Sequence, residues 1–424
     1  MGLPTRPKIP TTKPSIQPGL AANWRQFALL VVVNGFVGVM VGQERALLPL
    51  MARDEFGLAA ATAVTSFILA FGLSKAVCNL IAGRLADRLG RRSILIAGWL
   101  LGLPVPVLLA IAPSWSWVVL ANVLLGFNQG FCWSMTVTMK IDLVGASRRG
   151  LALGLNEFAG YLAVGGAGWL AAWLAESIDA RAVLLWLGLG AALAGLFVSW
   201  AFVRETRAYA RAEATEANDR FTERRSFRWV FARSSWADRN LAACSQAGLV
   251  NNLNDALAWG LLPLWFSMKG LTLAEVGQLA FAYLAVWAIA QIGTGALTDL
   301  VGRKSPIVVG FLAQAVALVG IEQGTEFSIW LGWSAMYGLG TALVYPALLA
   351  AVADASEPSW RATALGVYRF WRDVGFAVGA LVAGLLADHF SIEWAILAVA
   401  GITLGSGLVF QTTYRADRAS LKPI

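Results

Sequence analysis

Apolar residues run along this chain in blocks of roughly 20, about the length an α-helix needs to cross a ~30 Å hydrocarbon core. Twelve blocks are discernible: 27–50, 60–82, 93–112, 116–138, 150–174, 182–203, 241–266, 273–294, 306–321, 327–350, 362–386 and 392–412. Hydrocarbon offers no water to backbone groups, so each block is predicted to be a helix. The one long polar connection, 204–239, falls between the sixth and seventh blocks. It separates a bundle at 25–203 from a second at 240–414, with tails at 1–24 and 415–424. Residues 1–24 hold five prolines, several cations and no apolar segment of signal-peptide type, and are expected to be a disordered cytoplasmic tail. The expected fold class is an all-α membrane protein of twelve transmembrane helices.

Composition agrees. The 424 residues are 58% hydrophobic and 14% charged, with a mean hydropathy of +0.64. A soluble chain is nearer half apolar and a quarter charged. The net charge of +8 does not indicate nucleic acid, because the cations sit in short loops, where they set topology. Arg84, Arg88, Arg91, Arg92, Arg148, Arg149, Arg303, Lys304, Arg361 and both tails fall on one side, as do nine arginines in 204–239. The other side keeps only Arg53, Arg181 and Lys269, so both termini are placed in the cytoplasm. The linker's Arg/Glu mixture suits either a surface helix on anionic lipid or a topogenic connection. Cys78, Cys132 and Cys244 show no paired spacing, and His389 is the one histidine, so no disulfide framework, metal site or cofactor is expected.

The chain repeats itself at an offset of 212. Gly83-Arg84-Leu85-Ala86-Asp87-Arg88-Leu89-Gly90-Arg91-Arg92 returns, degraded, as Gly295-Ala296-Leu297-Thr298-Asp299-Leu300-Val301-Gly302-Arg303-Lys304. Ala152-Leu153-Gly154 maps onto Ala364-Leu365-Gly366, Gly126 onto Gly338, Asp142 onto Asp354, Arg149 onto Arg361 and Glu157 onto Arg369. Duplicated six-helix halves place a substrate site between them near the bilayer midplane and rock to expose it alternately.

Gly83 to Arg92 resembles the loop 2–3 signature of the major facilitator superfamily, and the resemblance extends over about 25–415. It implies a multi-pass transporter of the bacterial inner membrane, with no enzymatic activity. It also implies that Asp87 contacts the start of helix eleven near Trp360 to Thr363, while the arginines pair with Asp142. By symmetry Asp299, Arg303 and Asp354 repeat the arrangement. The expected cytoplasmic gate is Gly83, Asp87, Arg88, Gly90, Arg91, Arg92, Asp142, Arg149, Asp299, Arg303, Asp354 and Arg361, latched when that side is closed and broken on inward opening. Gly83 and Gly90 are read as permitting close helix approach and a tight turn. Two departures from the antiporters of the family stand out. Their helix-four arginine is replaced by Asn122, ahead of Gly126, and helix five has glycines at 160, 165, 166 and 168 but no proline.

Charges inside spans are costly and mark function by default. Glu44, Glu157, Asp255 and Asp373 are accompanied by Arg45, Lys75, Arg369 and Arg372, a formal balance of zero. Arg369 and Asp373 share a helix face, so a network of Arg369, Asp373 and Lys75 is expected, leaving Arg372 as an anion anchor. Asn251, Asn254 and Asp255 share a face of helix seven, and the asparagines, with Asn252, are expected to unwind it. Helix one carries Asn34 at mid-depth and Glu44-Arg45 nearer the outside; Pro49 and Pro263 follow in matching Leu-Leu-Pro-Leu runs. Glu157 and Asp255 are rival carriers of a coupling proton. The candidate substrate and coupling residues are Asn34, Glu44, Arg45, Glu157, Asn251, Asp255, Arg369, Arg372 and Asp373. Of the aromatics within spans, Trp133, Trp259, Trp287, Trp371 and Tyr345 favour an organic substrate if they line a cavity.

The expected activity is secondary transport of a small organic solute, coupled to H+, in a monomer surrounded by membrane lipid, with efflux slightly favoured over uptake. Alternatives are an anion transporter using the intramembrane arginines, a lipid flippase, or a transporter-like sensor. No nucleotide-binding loop or nucleophile–base pair is present to suggest an enzyme or an ATP-driven pump.

Overall fold

The computed structural model describes residues 19–144, 149–216, 225–357 and 360–415, with backbone only at 149–153, 211, 213–216, 296 and 299. The helices are α1 (Leu20–Asp54), α2 (Ala61–Leu89), α3 (Arg91–Gly102), α4 (Pro104–Ala110), α5 (Trp115–Val144), α6 (Arg149–Ala175), α7 (Ala180–Ala201), α8 (Arg207–Glu216), α9 (Phe227–Ala232), α10 (Arg239–Gly260), α11 (Leu262–Met268), α12 (Leu273–Val301), α13 (Lys304–Gln323), α14 (Phe327–Asp354), α15 (Arg361–His389) and α16 (Ile392–Thr413). Among the described residues, eleven segments are long and apolar enough to cross a membrane, α3 and α4 forming one of them. The remaining crossing is α10 with α11, whose apolarity is lowered by Asn251, Asn252, Asn254 and Asp255. The protein is a multi-pass membrane protein.

Several expectations are corrected. α1 starts at Leu20, so the tail reading fails for residues 20–24, while 1–18 lie outside the described residues. α2, α5, α12 and α14 run several residues past their apolar blocks, because a helix does not stop where hydrocarbon does. Gly83 to Leu89 are therefore helical rather than loop. Only Gly90 (φ +99°) makes the turn, and its mate Gly302 (φ +83°) does the same; side chains disfavour this region. α10 does not unwind at its asparagines. Asn254 donates to Gln314 at 2.5 Å, Gln314 donates to Asn251 at 3.2 Å, and Thr403 donates to Asn254 at 2.7 Å, so two of the three asparagines are bonded across helices. The break comes at Leu261, ahead of Pro263.

Within each half, backbones come very close. A Cβ on Gly42 of α1 would lie 2.0 Å from the Val164 carbonyl oxygen of α6, and one on Gly375 of α15 would lie 2.1 Å from that of Leu249 in α10. Between halves, the main seams are α2 against α15 and α6 against α12. The linker is moored to both halves. The Arg84 guanidinium of α2 sits 4.4 Å from the Phe227 ring centroid, Phe231 packs on Phe370 and Trp371, and Trp371 Nε1 donates to Ser235 Oγ at 2.8 Å.

Candidate functional site

The seams close toward the outer ends of the helices. Asp388, in the last turn of α15, accepts from the N–H groups of Ala61 (2.5 Å) and Thr62 (3.1 Å) and from the Thr62 hydroxyl (2.6 Å). It thereby supplies the side-chain cap that Ala60 cannot. Glu176, just past α6, accepts from the N–H of Ala274 at 2.9 Å in the first turn of α12. Arg53 donates to Ser267 at 3.3 Å. Toward the cytoplasm the halves part around a cavity of about 810 Å³, lined by α2, α5, α6, α12, α14 and α15. The molecule is thus open inward.

The cavity mouth holds residues of the expected cytoplasmic gate. Asp87 and Arg303 line it on opposite halves. Asp87 bonds Arg91 at 3.0 Å with its side chain 71% exposed, and Arg91 reaches Asp142 at 3.4 Å. The second half repeats this as Arg303–Asp354 at 3.0 Å. No bond from Asp87 to the start of α15 is present among the described residues. Gly83 is not a close-approach point in this state: a Cβ there meets nothing within 4 Å. Arg361 turns away from acids and donates to the Ser356 carbonyl at 3.2 and 3.1 Å. Arg92 donates to the Trp200 carbonyl, and Arg88 accepts at its own carbonyl from Arg207. The side chains of Arg149 and Asp299 lie outside the described residues. Glu205, which the motif did not reveal, accepts from the N–H groups of Arg91 (3.1 Å) and Arg92 (3.0 Å) and caps α3 from the linker.

The deep end of the cavity carries the chemistry. Glu157, Arg369, Tyr345, Asn79, Ser134 and Gln291 line it. Trp133 Nε1 donates to Glu157 Oε1 at 2.9 Å and Asn156 Nδ2 to the same oxygen at 3.2 Å. The Trp133 ring stands 5.3 Å from Tyr161, whose hydroxyl accepts from Arg372 at 2.8 Å. Arg372 also lies 4.2 Å over the Tyr345 ring and has no ion pair among the described residues. Tyr161 packs 3.7 Å from Trp287 across the seam. Lys75 pairs with Asp373 at 3.5 Å and sits 5.7 Å from the Trp133 centroid. Asn79 donates to Asp373, and Ser134 to Asn79 at 2.8 Å. Acid and cations therefore share one aromatic cluster.

Other expectations are placed elsewhere. Of the expected network, Lys75–Asp373 forms, but Arg369 makes no ion pair with Asp373. Asn34 donates to the Asn156 carbonyl at 2.7 Å and accepts from Thr136, inside the first half. Asn251 faces Gln314 rather than the cavity. Asp255 accepts from Tyr283, which stacks on Tyr337 at 4.8 Å, behind the cavity wall. Glu44 and Arg45 are buried toward the outer side. Trp371 belongs to the linker contact, not the cavity. Lys140 lies just past the end of its apolar block at 138. It is fully buried on α5, donating to the Leu30 carbonyl at 3.3 Å.

The family model described as Major Facilitator Superfamily matches residues 27–246 and 244–424. A curated protein of Cupriavidus pinatubonensis (strain JMP 134 / LMG 1197), named "Probable 4-methylmuconolactone transporter", is 26% identical over 330 residues, covering 74% of this chain and 73% of its own. The solved structure of a bacterial homolog to the human lysosomal transporter Spinster, inward-facing and occupied, superposes with a TM-score of 0.75 at 14% identity. The match covers 95% of this chain and 99% of that one. The human organic anion transporter MFSD10 (TETRAN) gives 0.67 at 18% identity, covering 91% and 99%.

Proposed function

The chain belongs to the Major Facilitator Superfamily, and on that premise we propose that it carries a small organic anion with an aromatic or apolar body, together with a proton. The observation that carries this reading is Arg372. It is buried directly behind Tyr345, which lines the deep end of the cavity, without a carboxylate partner among the described residues, and braced by the Tyr161 hydroxyl and the Tyr345 ring. A desolvated guanidinium held by neutral groups keeps its charge for a ligand. Tyr345 and Arg369 extend the same wall, so an anionic head and an apolar body are both accommodated.

Glu157 supplies the coupling. It and Arg372 are joined through Trp133 and Tyr161. An anion binding beside Glu157 is repelled by its carboxylate and accepted when that carboxyl is protonated. Proton and anion then raise each other's affinity, and such linkage is reciprocal. Positive linkage at one cavity favours symport. Asp255, tied to Tyr283 behind the wall, is the less suited of the two acids.

The test is flux in liposomes holding the purified protein and an internal pH dye. The panel is benzenesulfonate, which is permanently charged, 4-methylmuconolactone, neutral benzamide and cationic benzylamine. An inward benzenesulfonate gradient is expected to acidify the interior, and Glu157→Gln to abolish that signal. Arg372→Gln is expected to raise the half-saturating concentration about tenfold or more, the loss of one charged hydrogen bond. Transport of the amine instead of the anion, or alkalinisation of the interior, would overturn the reading.

A further inference from the structure

We propose that Arg45 forms a second anion subsite, on the outer side of an aromatic septum, which receives the acidic head of the substrate when the outer ends of the two halves separate. The proposal rests on the anion-carrier reading above and adds where the anion is met from outside.

Position comes first. Arg45 is nine residues short of the outer end of α1, about 14 Å by helical rise, whereas Lys75 is fourteen residues in from the outer end of α2, about 21 Å. The ring of Phe71 contacts both cations: the Arg45 guanidinium carbon lies 4.4 Å from its centroid and Lys75 Nζ 5.5 Å. Phe376 meets Phe71 edge-on at 5.7 Å, and Trp259 stacks on Phe376 at 5.1 Å. These three rings form a wall that both cations touch, Arg45 nearer the outer end and Lys75 deeper. The wall is split by the seam, since Phe71 belongs to the first half and Trp259 and Phe376 to the second.

The second argument is the state of the guanidinium. Arg45 is only 4% exposed and has no ion pair among the described residues, although Glu44 is its neighbour in sequence. Adjacent residues on a helix do not face one another. The cation is held instead by rings: Phe67 at 5.2 Å, Phe71 at 4.4 Å and Trp259 at 5.5 Å. Desolvated cation–ring contacts are worth about 2 kcal/mol each, and the buried Glu44 carboxylate acts on the cation electrostatically without bonding it.

The third is direction. Nη1 donates to Asn122 Oδ1 at 3.2 Å, and Asn122 is anchored in turn by its Nδ2 to the Val118 carbonyl at 3.2 Å. Nε and Nη2 are buried and donate to nothing among the described residues. Their two N–H bonds form the parallel edge that takes a carboxylate or sulfonate in two-point fashion. Outward opening withdraws Trp259 with the second half and leaves this edge facing the outer vestibule. Phe67 and Phe71 remain beside it to pack an apolar body. The ligand class is a monoanion with a flat or apolar body, the same as in the central cavity.

The experiment measures benzenesulfonate half-saturation separately at each face, in right-side-out and inside-out vesicles. Arg45→Gln is expected to raise the outer-face value about ten- to a hundredfold and to leave the inner-face value within about twofold. Asn122→Ala keeps the charge but frees Nη1, and is expected to raise the outer-face value by a smaller factor. It provides the answer should Arg45→Gln fail to fold. Equal changes at both faces, opposite changes at the two faces (a shift of conformational equilibrium), or no change in either variant would overturn the subsite. Absence of anion flux in the unaltered protein would instead overturn the anion-carrier reading, and this inference with it.

Discussion

Asp373 is 2% exposed at the seam, and Lys75, its one ion partner among the described residues, is 12% exposed. Removing one partner from such a pair leaves a charge with no water to return to, at a cost of about 3–5 kcal/mol. Lys75→Met is therefore expected to lower the melting temperature in detergent strongly. The double variant Lys75→Met/Asp373→Leu should recover most of that loss, because two apolar side chains replace two charges. A double variant no better than the single would show that Asp373 depends on Asn79 rather than Lys75. At this scale the sequence was legible wherever a charge interrupted an apolar block, which is how Glu157, Arg372 and Asp373 stood out. It was not legible where the partner was neutral. Tyr161, Asn79 and Ser134 complete the cluster, yet a hydroxyl or an amide in a span carries no sign of what it will face. Lys140 was lost for another reason: at the end of an apolar block it reads like a loop cation, and only packing against α1 buries it.

Helices here are positioned by the absence of side chains at a few crossings. At Gly42 there is no room for even a methyl group beside the Val164 carbonyl, so the α1–α6 distance is set by that glycine. Gly42→Leu should force the pair apart and destabilise the first half by about 1–3 kcal/mol, the usual cost of overpacking, measurable as earlier thermal unfolding. Gly83→Ala makes the opposite forecast. Nothing approaches that position in the inward-open state, so melting should be unchanged. If the cytoplasmic gate closes over α2 as the motif implies, transport should nevertheless fall several-fold. Unchanged transport would leave Gly83 without a role in closure. Helix existence was readable from hydropathy; helix ends were not. α2 and α12 continue through their charged motifs because nothing breaks them before Gly90 and Gly302, and α10 stays intact with Asn251 and Asn254 bonded to Gln314 and Thr403. Neither partner can be found by scanning helix seven alone.

For the whole molecule, the decisive contacts are the two carboxylates at the outer rim. Asp388 caps α2, and Glu176 binds the first turn of α12. Neutralising both, as Asp388→Asn with Glu176→Gln, should weaken the outer closure and raise the outward-open population. The readout is alkylation from outside of a cysteine placed at Thr65, where the background thiols Cys78, Cys132 and Cys244 are buried. Asp87→Asn should act in the reverse sense, favouring the inward-open form by weakening the closed cytoplasmic gate. The duplication itself was plain from the repeated motif, but the rim was not, since an acid at the end of a helix is unremarkable until its target is known. Yet the 212-residue offset that relates the motifs also exchanges Asp388 with Glu176 and Thr62 with Ala274. Each copy of the repeat offers an acid to a helix start on the other copy and receives one in return. That is the reciprocity of an isologous two-fold dimer interface. The covalent join between halves is then not what specifies their pairing: residues 1–216 and 225–424, expressed as separate chains, should still find one another and assemble.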